Sequence, residues 1–136
     1  MSWDQELEVL EAAIRTAGAE ALRVAVNGFE TTKKSDQSPV TSADLAVNDL
    51  LHAHLLSAFP HDGWLSEESP DDASRLQKDR VWVVDPIDGT KAFINKVPEF
   101  CISAALIEEG FPIVAAIYNP STDELFSAMR GGGLRL

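Results

Sequence analysis

The sequence predicts an α+β fold in which two helices lie on one face of a largely antiparallel sheet. Three observations predict it. Apolar residues recur at steps of three and four through residues 2 to 27 and again after Thr41, short apolar runs bounded by turn residues replace that period after residue 80, and helices precede strands throughout. With 136 residues, 45% of them hydrophobic and 24% charged, the chain can bury roughly two-thirds of its unfolded surface around one core. Residues 1–136 are therefore expected to form a single domain that needs neither disulfides nor a structural metal.

The first helix is expected over residues 2 to 27, because Leu7, Leu10, Ile14, Ala17, Ala21 and Val24 fall on one face. Ser2 and Gln5 match a capping box, and Asn27-Gly28 is a stop signal. A polar stretch, Thr31 to Ser38, leads through Pro39 to a second helix starting near Thr41. Thr41 and Asp44 match a capping box there, Val47, Leu51 and Leu55 share a face, and Pro60 ends the helix. Strands are expected at Val81–Val84, Cys101–Ile107, Ile113–Tyr118 and near Leu125-Phe126, the last three as a meander turning at Glu109-Gly110 and Asn119-Pro120. The final Arg130 to Leu136 reads as a glycine turn entering a further strand.

Charge excludes some functions. Eleven Lys and Arg against 22 Asp and Glu give a net charge of −11, which repels nucleic-acid backbones and anionic membranes. No run approaches the ~20 apolar residues that span a bilayer. The polar, acidic start lacks a signal peptide's features, and the single Cys101 forms no internal disulfide and no zinc motif, so a cytoplasmic setting is expected. Cys101 begins an apolar run and is read as a buried thiol. His52, His54 and His61 are read as helix-surface or loop residues, and Trp3, Trp64 and Trp82 as packing residues.

Between His61 and Asp88 stand eight acids and three Lys or Arg. Asp62, Asp71, Asp72 and Asp79, with Pro and Ser around them, read as a solvated acidic loop. Asp85 and Asp88 differ, because they follow the most apolar strand and flank Pro86, so both carboxylates can face one space. Two like charges there call for a cation or a shared proton. Hard oxygen donors without His or Cys indicate Mg²⁺ first, with Mn²⁺ or Ca²⁺ as substitutes. Gly89 and Thr90 are expected to begin a helical turn whose free N–H groups suit a phosphate. The competing explanation, that Asp88 caps this turn and Asp85 sits at a solvated strand end, fits the spacing equally well.

Asp85-Pro86-Ile87-Asp88-Gly89-Thr90, preceded by Trp64-Leu65-Ser66-Glu67-Glu68-Ser69 and by Ser38-Pro39-Val40-Thr41-Ser42-Ala43-Asp44, resembles the lithium-sensitive, magnesium-dependent phosphatases of the inositol monophosphatase family. Lys33-Lys34 and Lys91-Ala92-Phe93-Ile94 make the pattern most similar to the 3'(2'),5'-bisphosphate nucleotidase branch, with histidinol-phosphate phosphatases sharing much of it. The resemblance implies that Glu67, Asp85 and the Ile87 carbonyl hold one metal, and that Asp85 and Asp88 contribute to a second, with Asp85 bridging. It further implies that Thr90 with Asp44 orients and deprotonates the attacking water, that Glu68 helps to position coordinated water, and that the Gly89 and Thr90 amides hold the phosphate.

Asp44 has a second explanation in the Thr41 capping box. The resemblance also implies the N-terminal half of an αβαβα sandwich. Family members continue for roughly as many residues again, supplying a further metal-binding Asp and most of the substrate pocket. The expected activity is hydrolysis of a small phosphorylated metabolite, adenosine 3',5'-bisphosphate or inositol monophosphate. The alternatives are an incomplete fragment, or a module that binds divalent cations or assembles as a homodimer through an unpaired sheet edge, and a plain acidic domain without a metal site.

Overall fold

A computed structural model describes residues 3–28, 31–33, 39–69, 73–94 and 100–135. Ser2, Lys34, Ser38, Asp71, Asp72 and Leu136, which figured in the sequence reading, lie outside the described residues. The elements are helix α1 (Asp4–Asn27), strands β1 (Thr31–Lys33) and β2 (Pro39–Thr41), helix α2 (Ser42–Ala58), strand β3 (Gly63–Ser66), a 3₁₀ turn (Ser74–Gln77), strand β4 (Arg80–Asp88), the short helix α3 (Thr90–Ile94), and strands β5 (Cys101–Glu108), β6 (Phe111–Asn119), β7 (Glu124–Met129) and β8 (Gly133–Arg135).

Both long helices form where the apolar period places them. All six residues assigned to the face of α1 are buried, as are Val47, Leu51 and Leu55 of α2, and each of the Leu, Ile and Val side chains contributes about 1.5–3 kcal/mol of burial. The two ends of the helical pair are closed differently. α2 has the capping box expected at Thr41 and Asp44. The N-cap of α1 is Trp3, with no side-chain cap, and the Ser2–Gln5 capping box rests on Ser2, outside the described residues. Trp3 instead packs against the core.

Strands β3 to β8 form one sheet in sequential order, and β1 pairs with β2 in a separate antiparallel ribbon. Within the large sheet every neighbouring pair is antiparallel except β3 and β4. The sequence reading had no strand at β1, β2 or β3, because three or four residues are too few to display a period of two. Glu109 and Gly110 both have positive φ, the backbone of a two-residue hairpin whose twist matches the flanking strands. The terminal glycine turn and β8 appear as expected.

α1 packs on α2 and on β5, β6 and β7, and α2 on β4. Their shared face of the sheet carries Trp82, Val84, Ile102, Ala104, Leu106, Val114, Ala116 and Tyr118, all buried. The alternate residues Val83, Ile117 and Phe126 remain exposed on the opposite face. There a groove of about 540 Å³ runs from Ala115 and Ile117 past Val83 and Ala105 to Glu67 and Asp85. Among the described residues no helix is long and apolar enough to cross a membrane.

Candidate metal and catalytic site

Two features of the sheet bring the acidic residues together. β3 and β4 run parallel, with Ser66 opposite Val84, so the residues that follow, Glu67 and Asp85, emerge side by side. The second feature is a bulge in β4. Asp85 pairs with Ser103 but Asp88 with Cys101, so three steps along β4 match two along β5, and Pro86 supplies no ladder N–H. In a regular strand residues three apart face opposite ways. The extra residue restores one face to both: Pro86 and Ile87 are buried while Asp88 is exposed and Asp85 half-buried. The strand thus continues through Asp88, and the bulge, rather than a terminal turn, brings the carboxylates to one side.

Burial is the first cause holding Asp85 up at about 6, followed by the negative charges of Asp88, Glu67, Asp44 and Glu68. These are hard oxygen donors that burden one another with like charge, and they fit a divalent cation in chemistry. Among the described residues, however, no three His, Cys, Asp or Glu side chains stand arranged to hold a metal ion. Glu67 is exposed in the turn after β3, and Glu68 is half-buried, its backbone N–H donating to Ser66 Oγ at 3.2 Å.

Asp44 is only 3% exposed, and its two oxygens do different things. Oδ2 accepts from the Thr41 backbone N–H at 2.8 Å and from Thr41 Oγ1 at 2.6 Å, while the Asp44 N–H donates to Thr41 Oγ1 at 3.2 Å. Oδ1 faces Thr90, whose Oγ1 lies 3.1 Å away and also 3.1 Å from the Ile87 carbonyl oxygen. The capping explanation and the Thr90 partnership therefore coexist. Gly89 has φ +90°, a conformation that favours glycine, and its carbonyl accepts from Phe93 N–H at 3.0 Å. The Gly89 and Thr90 amides accordingly stand where α3 begins.

One residue set aside as solvated is not. Asp62 is buried, accepting from Arg80 Nε at 3.0 Å, Arg80 Nη2 at 2.8 Å and Trp82 Nε1 at 3.0 Å, while Arg80 Nη1 reaches Glu6 at 2.8 Å. Its Pro and Ser neighbourhood gives no hint of a cation 18 positions ahead. Asp79 is exposed, as expected. Cys101 is half-buried, and burial followed by the charges of Asp88 and Glu124 raises its thiol pKa, which disfavours a nucleophilic thiolate. The histidines are exposed, His52 making an edge contact with Trp64. Sequence reasoning passed over Asn48 and, although Ser69 belongs to the Glu67-Glu68-Ser69 block, gave that hydroxyl no role. Asn48 Nδ2 and Trp64 Nε1 both donate to Ser69 Oγ, at 2.8 and 3.1 Å.

Comparison with known proteins gives a consistent result. The profile of the inositol monophosphatase family matches residues 2–136. The inositol-1-monophosphatase of Rhizobium meliloti is 36% identical over 129 residues, covering 93% of this chain and 48% of that protein. The 3'(2'),5'-bisphosphate nucleotidase CysQ of Escherichia coli is 38% identical over 120 residues, covering 86% and 49%. The solved structure of the extragenic suppressor protein suhB from Bartonella henselae superposes with a TM-score of 0.87 at 32% identity, over 96% of this chain and 51% of that one. The chain spans about half the length of the relatives it matches. It belongs to the inositol monophosphatase family.

Proposed function

We propose that residues 1–136 are the metal-binding and water-activating half of a Mg²⁺-dependent phosphomonoesterase acting on a small phosphorylated metabolite of the adenosine 3',5'-bisphosphate or inositol monophosphate type. The observation that carries this reading is the contact between Thr90 and Asp44, 46 positions apart, beside the bulge that turns Asp85 and Asp88 to one face. The relatives' names support both substrate types about equally, at 36% and 38% identity.

Glu67, Asp85 and the Ile87 carbonyl would hold one Mg²⁺, and Asp85 with Asp88 would contribute to a second. When bound, the ions lower the pKa of the attacking water and stabilise charge on the leaving oxygen. Thr90 Oγ1 donates its proton to Asp44 Oδ1, which leaves a hydroxyl lone pair free to accept from that water. A proton leaving the water passes through Thr90 to Asp44, a general-base relay. Thr41 keeps the Asp44 carboxylate aimed by occupying Oδ2. Glu68 orients the water, and the Gly89 and Thr90 amides contact the phosphoryl oxygens.

A second reading, a catalytically incomplete fragment without turnover of its own, is favoured by the chain's covering only 48–49% of the length of those relatives. One experiment separates the two: phosphate release from adenosine 3',5'-bisphosphate and inositol monophosphate in millimolar Mg²⁺, by this chain and by a full-length relative, with thermal unfolding followed in parallel. The expected result is Mg²⁺-dependent stabilisation of this chain with little turnover. Turnover comparable to the relative would show that the additional half is dispensable, and no Mg²⁺ shift would overturn the site.

A further inference from the structure

Ser69 directly follows the two glutamates of the acidic turn. Two long hydrogen bonds run within that turn, Ser69 N–H to the Ser66 carbonyl at 3.3 Å and Glu68 N–H to Ser66 Oγ at 3.2 Å, and such bonds are weak at that length. The shorter contact comes from outside it, where Asn48 Nδ2 donates to Ser69 Oγ at 2.8 Å from helix α2, with Trp64 Nε1 donating to the same oxygen at 3.1 Å. Asn48 is 3% exposed, and among the described residues its Oδ1 has no hydrogen-bond partner. A buried acceptor left unpaired lowers stability, and an aliphatic side chain at this helix position would avoid the loss. The hydrogen bond that the amide does make goes to Ser69.

Asn48 lies one helical turn after Asp44, so the two share a face of α2. From that face Asp44 holds Thr90 and Asn48 holds Ser69. We propose that Asn48 is a positioning residue: through Ser69 it fixes the Glu67–Glu68 turn to the helix that also fixes Thr90, so that α2 sets the distance between the acidic turn and the β4 bulge. The inference rests on the metal-site reading above, because the purpose of that distance is to bring Glu67 to Asp85.

The test measures Mg²⁺ affinity by calorimetric titration, and amide hydrogen exchange at Glu68 and Ser69, in the 136-residue chain. Asn48→Ala and Ser69→Ala are each expected to weaken Mg²⁺ binding about tenfold, the range for loss of a residue that orients a ligand. The double variant should lose no more than Ser69→Ala alone, because Ser69→Ala already breaks the link to Asn48. Ser69→Thr, which keeps the hydroxyl, should stay within about threefold of wild type. Exchange at Glu68 and Ser69 should quicken about tenfold in Asn48→Ala, with the interior amides of α2 unchanged. Unchanged affinity beside faster exchange makes Asn48 a stabiliser of the turn alone and overturns the proposal, as does unchanged exchange. Glu67→Gln and Asp85→Asn serve as controls. If they bind Mg²⁺ as wild type does, the metal-site reading falls with its consequence for affinity, and the exchange result alone decides whether Asn48 holds the turn.

Discussion

Asp44 uses one oxygen to start a helix and the other to hold a hydroxyl, so its two roles can be separated by changing the hydroxyl. Thr90→Ala in an active full-length form should lower turnover by about 10²–10⁴-fold, the span of general-base contributions, while changing Mg²⁺ affinity by less than threefold. Steady-state kinetics beside a binding titration checks this, and equal losses would assign Thr90 to ligation or folding. Asp85 supplies a pH-dependent prediction. Its pKa in the folded chain is about 6 against an ordinary 3.8, so folding favours its protonated form. Stability from this group is present below about pH 4 and is lost as pH rises toward and through 6. Discounted for solvent around a half-exposed group, the effect is on the order of 1 kcal/mol. Without divalent cations, Asp85→Asn should therefore be more stable than wild type at pH 7 and about equal at pH 4, while losing the Mg²⁺-dependent rise in melting temperature.

Elements are joined at the start of β4 by the ion pair of Arg80 with Asp62 and Glu6, which ties that strand to α1 and to the segment leading into β3. Removing one partner of a buried pair leaves the other charge poorly compensated. Asp62→Ala should cost about 2–4 kcal/mol, toward the low end because Glu6 still reaches Arg80, and urea unfolding at pH 7 would measure it. A loss below 0.5 kcal/mol would mean that solvent replaces the carboxylate. The helices were legible in the sequence because their apolar faces repeat several times. β3 was not, because four residues display no period, although Trp64-Leu65-Ser66 carried part of the family resemblance. The Asp62–Arg80 pair was equally hidden, since a local reading of Pro and Ser neighbours has no access to a partner brought in by the sheet.

For the whole molecule the dominant long-range quantity is the net charge of −11. Self-repulsion of that size opposes the compact state and is screened by salt. Raising NaCl from about 20 to 500 mM should raise the melting temperature by a few degrees, and millimolar Mg²⁺ at 500 mM NaCl should add a further rise if a specific site is filled. No added rise at saturating Mg²⁺ would reduce the cation effect to screening. The exposed apolar residues Val83, Ile117 and Phe126 lie on the face away from α1 and α2, so among the described residues one sheet face is covered by helices and the other is not.

The sequence by itself determined the two helices, the meander of β5 to β7, the capping box at Thr41 and the family, because period, turn chemistry and contiguous motifs are local and repeat within a few residues. Tertiary structure decided how the acidic residues meet. Asp85 and Asp88 share a face only because an extra residue enters the ladder opposite β5, and Glu67 stands beside Asp85 only because β3 pairs in parallel with β4. The division of Asp44 between Thr41 and Thr90, the burial of Asp62 and the hold of Asn48 on Ser69 are likewise tertiary. Each depends on contacts between segments 18 to 46 residues apart or on the register between strands, and local propensity carries no information about which distant segment will arrive.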